Sequence, residues 1–578
     1  MTGARHAACI GLAVAAFASL AVTTRSSAHA IGTFAMGTAI ALPAADGGTE
    51  PRYTVTPDGK HYAISNVSGT ATVWESDDGS TGWHTTATTF PGQTSPTIDV
   101  DLVSMPAGST HPGRLIATEL DSGGLNFITG YSDDGGTTWH ASTLAGGPSG
   151  AGQFADQDRP WLATGPHDRA YLLFHNLLSG AANHNMYVST STDGGATFGP
   201  PIPTTQPLSQ ANLDLQCADS GGPSNIFVNQ TDGRVYAVWG SRSSNVAGGC
   251  GASITGQFEI NVVAATRVWV ATAPESGTAD PTKWQQTLAV DDNASALIVG
   301  MQLAPGAIDS AGNLYVLYPE STAPYPDYDG GAIKYVHATE ANVVANPYGT
   351  GLPAPPANVW SNPVTVATTG GAGHILPHIV AGGPGQIDMA YFEGDEIAGK
   401  SPATTANWFL VTAQTTDALD ANPLISHYRV NYPGTPVAPQ PAYSGFTASA
   451  MMGACGNGAA SGFTCNRSTD VWGIALDNQG NLQVTWPSAS AGNFGCSSTV
   501  TAAPPCTTWV TSQTDGPAIA PTPLSNVPEA PWTPAILVLG TAAAAGLVRV
   551  ARRRGRINAS ALRTPLRRST REAVGPSG

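Results

Sequence analysis

The sequence predicts an all-β fold: a β-propeller of four-stranded antiparallel blades, seven by the count of repeats, with six as the alternative. Three observations predict it. A turn of the form Ser-x-Asp-x-Gly recurs just ahead of an aromatic residue. An apolar hairpin recurs seven times along the chain. Gly (67) and Pro (45) are abundant while charged residues are only 11%, the composition of a turn-rich, many-stranded chain. Upstream of residue 534 nothing carries the periodicity of a helix longer than a few turns.

The turns come first because they set the repeat. Ser132, Asp134, Gly136 and Trp139 form one copy, and Ser191, Asp193, Gly195 and Phe198 another. A third, Ser76-Asp77-Asp78-Gly79-Ser80-Thr81-Gly82-Trp83, has lost its second Gly and its Thr from the pattern. In each, the Asp can accept from nearby backbone N–H groups. The Gly takes the positive φ of a tight turn, and the aromatic residue can wedge against a neighbouring sheet. Self-similarity of this kind marks a repeat architecture.

The hairpins occupy residues 53–66, 98–119, 160–175, 226–240, 302–320, 375–393 and 471–487. Tyr171-Leu172-Leu173-Phe174, Tyr236-Ala237-Val238-Trp239 and Tyr315-Val316-Leu317-Tyr318 are the same strand repeated, apolar enough for a sheet buried on both faces. Third strands follow at 71–75, 126–132, 185–191, 267–272, 333–338, 408–414 and 507–512. Fourth strands follow at 284–290, 360–367 and 427–432. The seventh unit stops after three. Residues 33–42, apolar and otherwise unassigned, can supply the missing strand, closing the ring and removing its edges.

The turns resemble the Asp-box (BNR) repeat of sialidases and related β-propellers. The resemblance implies that Asp78, Asp134 and Asp193 hold structural turns on the side away from the ligand. It also implies what an active member needs: three arginines around a sugar carboxylate, a Tyr nucleophile with a Glu partner, and an Asp acid/base. Arg52 stands where the family's first arginine stands, though Tyr53-Thr54-Val55 follows it. Arg159, Arg242 and Arg467 are candidates for the clamp, Tyr391 and Glu393 for the nucleophile pair, and Asp158 for the acid. Asp158-Arg159-Pro160-Trp161 is similar to a strand opening in secreted sialidase-like proteins, where Arg159 braces Asp158.

In such a ring, loops after second strands and before first strands share one face, the mouth. That rule gathers Arg52, Glu119, Arg159, His175, Arg242, Glu320, His378, Arg467 and Asp470 as ligand-binding candidates. Asp99, Asp101 and His374 stand at the same end. Two functions follow: binding of a carbohydrate or an extracellular protein at the central mouth, or exo-hydrolysis of terminal sialic-acid-like sugars. No cofactor is indicated. The Asp-rich turns lack the ligand ladder and terminal Glu of a calcium loop, so no pattern supports a structural Ca2+. There is no Gly-x-Ser-x-Gly elbow, His-Glu-x-x-His or phosphate-binding Gly-rich loop.

The ends read as export and anchoring. Residues 1–30 have the form of a signal peptide, with Arg5, an apolar run and Ala28-His29-Ala30. The propeller is expected over 31–512 and a Pro-rich linker over 513–533. A transmembrane helix is expected over 534–551 and a basic cytoplasmic tail over 552–578. Trp532 flanks the apolar segment on one side and Arg549, Arg552, Arg553, Arg554 and Arg556 on the other, which places the C-terminus inside. No sortase-type Leu-Pro-x-Thr-Gly occurs. Residues 31–548 carry a balance of −26, residues 549–578 carry +8, and Arg5 and Arg25 add +2. An acidic body argues against nucleic acid, and a basic tail suits an anionic inner membrane face. The expected location is the cell membrane, single-pass, with the propeller outside. Six cysteines remain after export: Cys217, Cys250, Cys455, Cys465, Cys496 and Cys506. An even number outside the cell favours disulfides. Local pairing in that order is one of fifteen connectivities.

Overall fold

A computed structural model describes residues 33–46, 48–87, 92–93, 96–121, 126–145, 157–176, 186–204, 223–241, 265–292, 304–321, 331–348, 358–368, 373–396, 406–433, 441–446, 472–488 and 507–519. The segments expected to be a signal peptide (1–30) and a membrane helix with a basic tail (534–578), and the six cysteines expected to pair, lie outside these residues. Among the described residues no helix is long and apolar enough to cross a membrane.

Seven antiparallel sheets follow one another along the chain. The first is Gly48–Val55, His61–Val67, Thr70–Ser76 and His84–Ala87. The second is Thr97–Ser104, Leu115–Asp121, Asn126–Ser132 and His140–Ala141. The third is Gln157–Thr164, Ala170–Asn176, Met186–Ser191 and Ile202–Pro203. The fourth is Pro223–Val228, Val235–Ser241, Arg267–Ala273 and Gln285–Asp291. The fifth is Gly306–Ile308, Asn313–Glu320, Ala332–Thr339 and Val364–Ala367. The sixth is Gly373–Ala381, Ile387–Glu396, Ala406–Thr415 and Ser426–Arg429, with Tyr443–Phe446 also on its third strand. The seventh is Gly473–Leu476, Leu482–Ser488 and Thr507–Asp515. Ala35–Met36 and Ile40–Asp46 from the N-terminal end complete it by pairing antiparallel with Thr507–Asp515. Each first strand packs on the first strand of the next sheet, and that of the seventh on that of the first. The ring is therefore a seven-bladed β-propeller, closed by one strand from the start of the chain. The seventh blade runs past the boundary expected at residue 512: its third strand continues to Asp515, and Ile519, wholly buried, donates its N–H to Gly480 O at 2.9 Å.

Apolar residues fill the seams between blades. Trp161, Trp239, Trp269 and Trp284 share the seam of the third and fourth blades. Trp408, Trp472 and Trp486 share that of the sixth and seventh. Each ring removes about 150–250 Å² from water, worth ~4–6 kcal/mol at ~25 cal/mol/Å² before entropy is charged.

The Ser–Asp turns sit between third and outer strands, at the end opposite the mouth. Ser132 Oγ donates to Asp134 Oδ1 at 2.9 Å, and Gly136 N–H donates back to Ser132 Oγ at 2.9 Å. Thr138 N–H donates to Asp134 Oδ1 at 2.7 Å. Ser191, Asp193, Gly195 and Thr197 repeat the set at 2.8–2.9 Å. In the worn copy Thr81 takes the threonine role early, with its N–H and hydroxyl on Asp78 at 2.6 and 2.7 Å. The sixth blade holds a further copy that the sequence pattern does not show: Thr415 Oγ donates to Asp417 at 2.6 Å, and Leu424 N–H closes it at 3.1 Å after a longer loop. Trp83, Trp139 and Phe198 each pack into the seam with the preceding blade.

Gly195 ties turn to seam. Its φ is +83°, and a Cβ there would lie 2.5 Å from Ile116 Cδ1 of the second blade. Gly195→Ala is therefore expected to cost ~1–3 kcal/mol from backbone and packing together, read as a lower urea midpoint. A loss below ~0.5 kcal/mol, the ordinary surface value, would contradict this tie.

Candidate functional site

Three first strands share one irregularity near the mouth. Glu50, Arg159 and Leu376 have φ of 51°, 57° and 52°, and each precedes a proline (Pro51, Pro160, Pro377). Positive φ is uncommon for such residues. At each, the first strand advances three residues while its partner advances two: Thr49↔Asn66 is followed by Arg52↔Ile64, Asp158↔His175 by Trp161↔Leu173, and Ile375↔Phe392 by His378↔Ala390. This is a β-bulge at a residue that cannot donate to the ladder. The extra residue reverses which face the following side chains occupy.

The consequence is two separate groups of polar side chains. One lies on the axis. Arg52 donates through Nη1 to Trp472 O at 2.6 Å, stacks over Trp161 at 4.1 Å, and holds Nε 3.6 Å from Asp101 Oδ1. Asp101 also accepts from Leu102 N–H at 2.8 Å and Leu162 N–H at 2.6 Å. His378 meets the Trp472 ring edge-on at 4.3 Å. Burial, then the Arg52 charge, pushes its pKa well down, so the ring is neutral. These residues join the first, second, third, sixth and seventh blades. Arg159 is buried beside them. Glu119, wholly buried on the second strand of its blade, has its pKa raised to about 7 by burial, with Asp121 adding to the effect.

The other group lines a cleft of about 590 Å³ at the mouth end, off the axis, between the outer strand of the fifth blade and the sixth blade, a size suited to a small ligand. The second strand of the sixth blade presents Tyr391, Glu393 and Asp395, alternate residues on one face. His374 enters from the first strand, and His427 and Arg429 from the outer strand. Arg429 donates through Nε to Glu393 at 3.0 Å and through both Nη groups to Asp395 at 2.8 Å, over the Phe409 ring at 4.5 Å. His374 Nδ1 donates to Gly331 O at 2.9 Å, and its Nε2 lies 3.8 Å from Glu393 Oε1. Tyr391 Oη and His427 Nδ1 are 2.9 Å apart. Burial, then the Glu393 charge, raises the phenol pKa, while burial lowers that of the imidazole. Burial thus favours the neutral form of both, and the phenol and the ring share one hydrogen bond. His374 and Arg429 hold the Glu393 pKa down to about 2 against burial.

Placed against the sequence reading, Tyr391 and Glu393 do come together in one cleft, but Arg52, Arg159 and His378 stand with the axial group. Among the described residues only Arg429 acts electrostatically on Tyr391 as a cation. The cleft that holds Tyr391 and Glu393 lies to the side of the axis, because the bulge at Leu376 turns His374 toward the fifth blade and His378 toward the seventh. Glu320 is paired with Lys334 on the neighbouring strand. Asp158 and His175 are register partners at the mouth end of the third blade, and nothing of their side chains is described. Arg242, Arg467 and Asp470 lie outside the described residues. His427, Arg429 and Asp395 were not singled out from sequence. The signal was there in two alternations, Tyr391-x-Glu393-x-Asp395 and His427-x-Arg429, but joining them needs the register across the intervening strand. Among the described residues no group of three or more His, Cys, Asp and Glu is arranged to hold a metal.

No family model matches this chain and no curated protein matches its sequence. Solved structures with a similar course include the GH93 α-L-arabinofuranosidase of Fusarium graminearum, at 12% identity over 82% of this chain and 97% of that one, with a TM-score of 0.39. A PL25 ulvan lyase is similar at 11% identity over 68% and 84%, TM-score 0.40. The α-L-arabinanase of Penicillium chrysogenum is similar at 12% over 68% and 98%, TM-score 0.33. Identities of this size transfer no residue from those chains to this one.

Because the native pKa of Glu393 is depressed, its contribution is present above its ordinary value of 4.5 and lost as pH falls toward about 2. The stability difference between the wild type and Glu393→Gln, from chemical denaturation, should be constant above pH 4.5 and shrink below it. A difference independent of pH would contradict the His374–Glu393–Arg429 linkage.

Proposed function

We propose that this chain is an exported propeller of the sialidase-like, Asp-box kind, tethered by residues 534–551 with its body outside the cell, that binds a carbohydrate. The observation that carries the reading is the cleft between the fifth and sixth blades. It sets carboxylate acceptors, the Arg429 and His427 side chains and the Tyr391 and Tyr428 rings around a volume suited to one or two sugar rings. Sugar hydroxyls both donate and accept, so a lining of mixed acceptors and donors beside aromatic surface matches them. An extended protein surface would call for a broader, flatter patch.

The second reading, exo-hydrolysis of a terminal sialic-acid-like sugar, is favoured by one observation: Tyr391 and Glu393 share the cleft. It requires Glu393 to assist Tyr391 as a base. Here Glu393 is held by His374 and Arg429, and the phenol's hydrogen bond is made with His427 instead. Binding without turnover fits this arrangement better.

The test is a glycan array and titration calorimetry with the full-length chain, alongside a fluorogenic sialoside assay. The expected result is saccharide binding weakened about tenfold by Tyr391→Phe, without sialoside turnover above background. Turnover abolished by Tyr391→Phe would establish the second reading. Saccharide binding indifferent to Tyr391→Phe and Arg429→Ala would remove the cleft from the account. Sedimentation with membranes by the full chain, but not by one ending at residue 533, tests the tether.

A further inference from the structure

The donor and acceptor inventory of the cleft narrows the ligand. Three of the five N–H groups of Arg429 are already taken by Glu393 and Asp395. His374 spends its Nδ1 on a backbone carbonyl and turns its Nε2 to Glu393, so neither ring nitrogen is open to a ligand carboxylate without competition. Glu393 and Asp395 remain partly open, at 30% and 48% side-chain exposure, and each has lone pairs to offer. Among the described lining residues two carboxylates stand against one guanidinium, so this lining is acceptor-rich. A ligand carboxylate is acceptor-only. To reach Arg429 it would have to displace Asp395 or Glu393 and then sit beside the displaced charge. A neutral sugar brings hydroxyl donors to the same acceptors at no such cost. The acidic body of the chain, −26 over residues 31–548, adds a field of the same sign.

Resting on the carbohydrate reading above, we propose that the cleft takes a neutral, hydroxyl-rich saccharide and selects against one bearing a carboxylate. The selection is made by Glu393 and Asp395, which occupy Arg429, the one guanidinium among the described lining residues.

Matched pairs that differ chiefly in the carboxylate test this: galactose against galacturonate oligomers, glucose against glucuronate oligomers, and lactose against sialyllactose. Each is titrated into the full-length chain at low and high salt. The expected result is that the neutral member of at least one pair binds about tenfold or more tighter at low salt, the cost of one like-charge contact near a surface. High salt should narrow the gap. Asp395→Asn should narrow it too, by releasing Arg429, with Glu393→Gln as the second variant should the first not fold. An acidic member bound as tightly as its neutral partner, or tighter, would overturn the selection and leave carbohydrate binding standing. If no member of any pair binds, the carbohydrate reading fails with it.

Discussion

The hydrogen-bonded seam between the two ends of the folded chain is the constraint on which the rest depends. Ile40 and Ala41 lie opposite Val510 and Trp509, Gly37 N–H donates to Ser512 O at 2.8 Å, and Thr511 Oγ donates to Gly37 O at 2.7 Å. Without it the strand Thr507–Asp515 would present an open edge. The axial contacts from Arg52 to Trp472 and Trp161 would then join the ends of an arc instead of points on a circle. Each blade is too thin to bury its own faces, so its core is the seam it shares with the next blade. Closure gives the first and seventh blades the partner that every other blade already has.

Within that ring, three bulged X-Pro positions decide what a first strand can show. In a regular strand His374 and His378, four residues apart, would share a face. The extra residue at Leu376 sends one to the fifth-blade side and the other to the seventh. The same device at Glu50 puts Arg52 on the axis. Positive φ before proline is costly, and its recurrence in three blades ties the polar axis and the lateral cleft to one local rule. Arg52 and Asp101 are spent on each other and on backbone groups, and with His378 on the Trp472 ring they join five blades. The cleft is where carboxylates, imidazoles and a phenol meet open volume.

Much of the fold was legible in the sequence because its period is local. Strand alternation, turn chemistry and the short seventh unit are each visible within about forty residues, the scale of a blade. The strand supplied by residues 33–42 was legible from the deficit it fills. The third strand's run to Asp515 and the extra turn at Asp417 were not. The first hides behind the start of the proline-rich segment, and the second uses Thr in place of Ser with a longer loop. The site was legible in parts only. Tyr391 and Glu393 stand two apart on one strand, whereas Arg429 reaches them across the intervening strand, where register is not written locally. The polar residues at the mouth form two groups for a physical reason: the bulges bring Arg52 and His378 to the axis and leave His374 beside Tyr391 and Glu393.

The central claim, that one N-terminal strand closes the ring, is most directly tested by amide hydrogen exchange on a chain lacking residues 33–46. The account predicts that Thr507–Asp515 loses protection, that the amides around Arg52 and Trp472 exchange faster, and that the fourth blade is unaffected in the same sample. Unchanged protection at Thr507–Asp515 and at the seam of the first and seventh blades would contradict it.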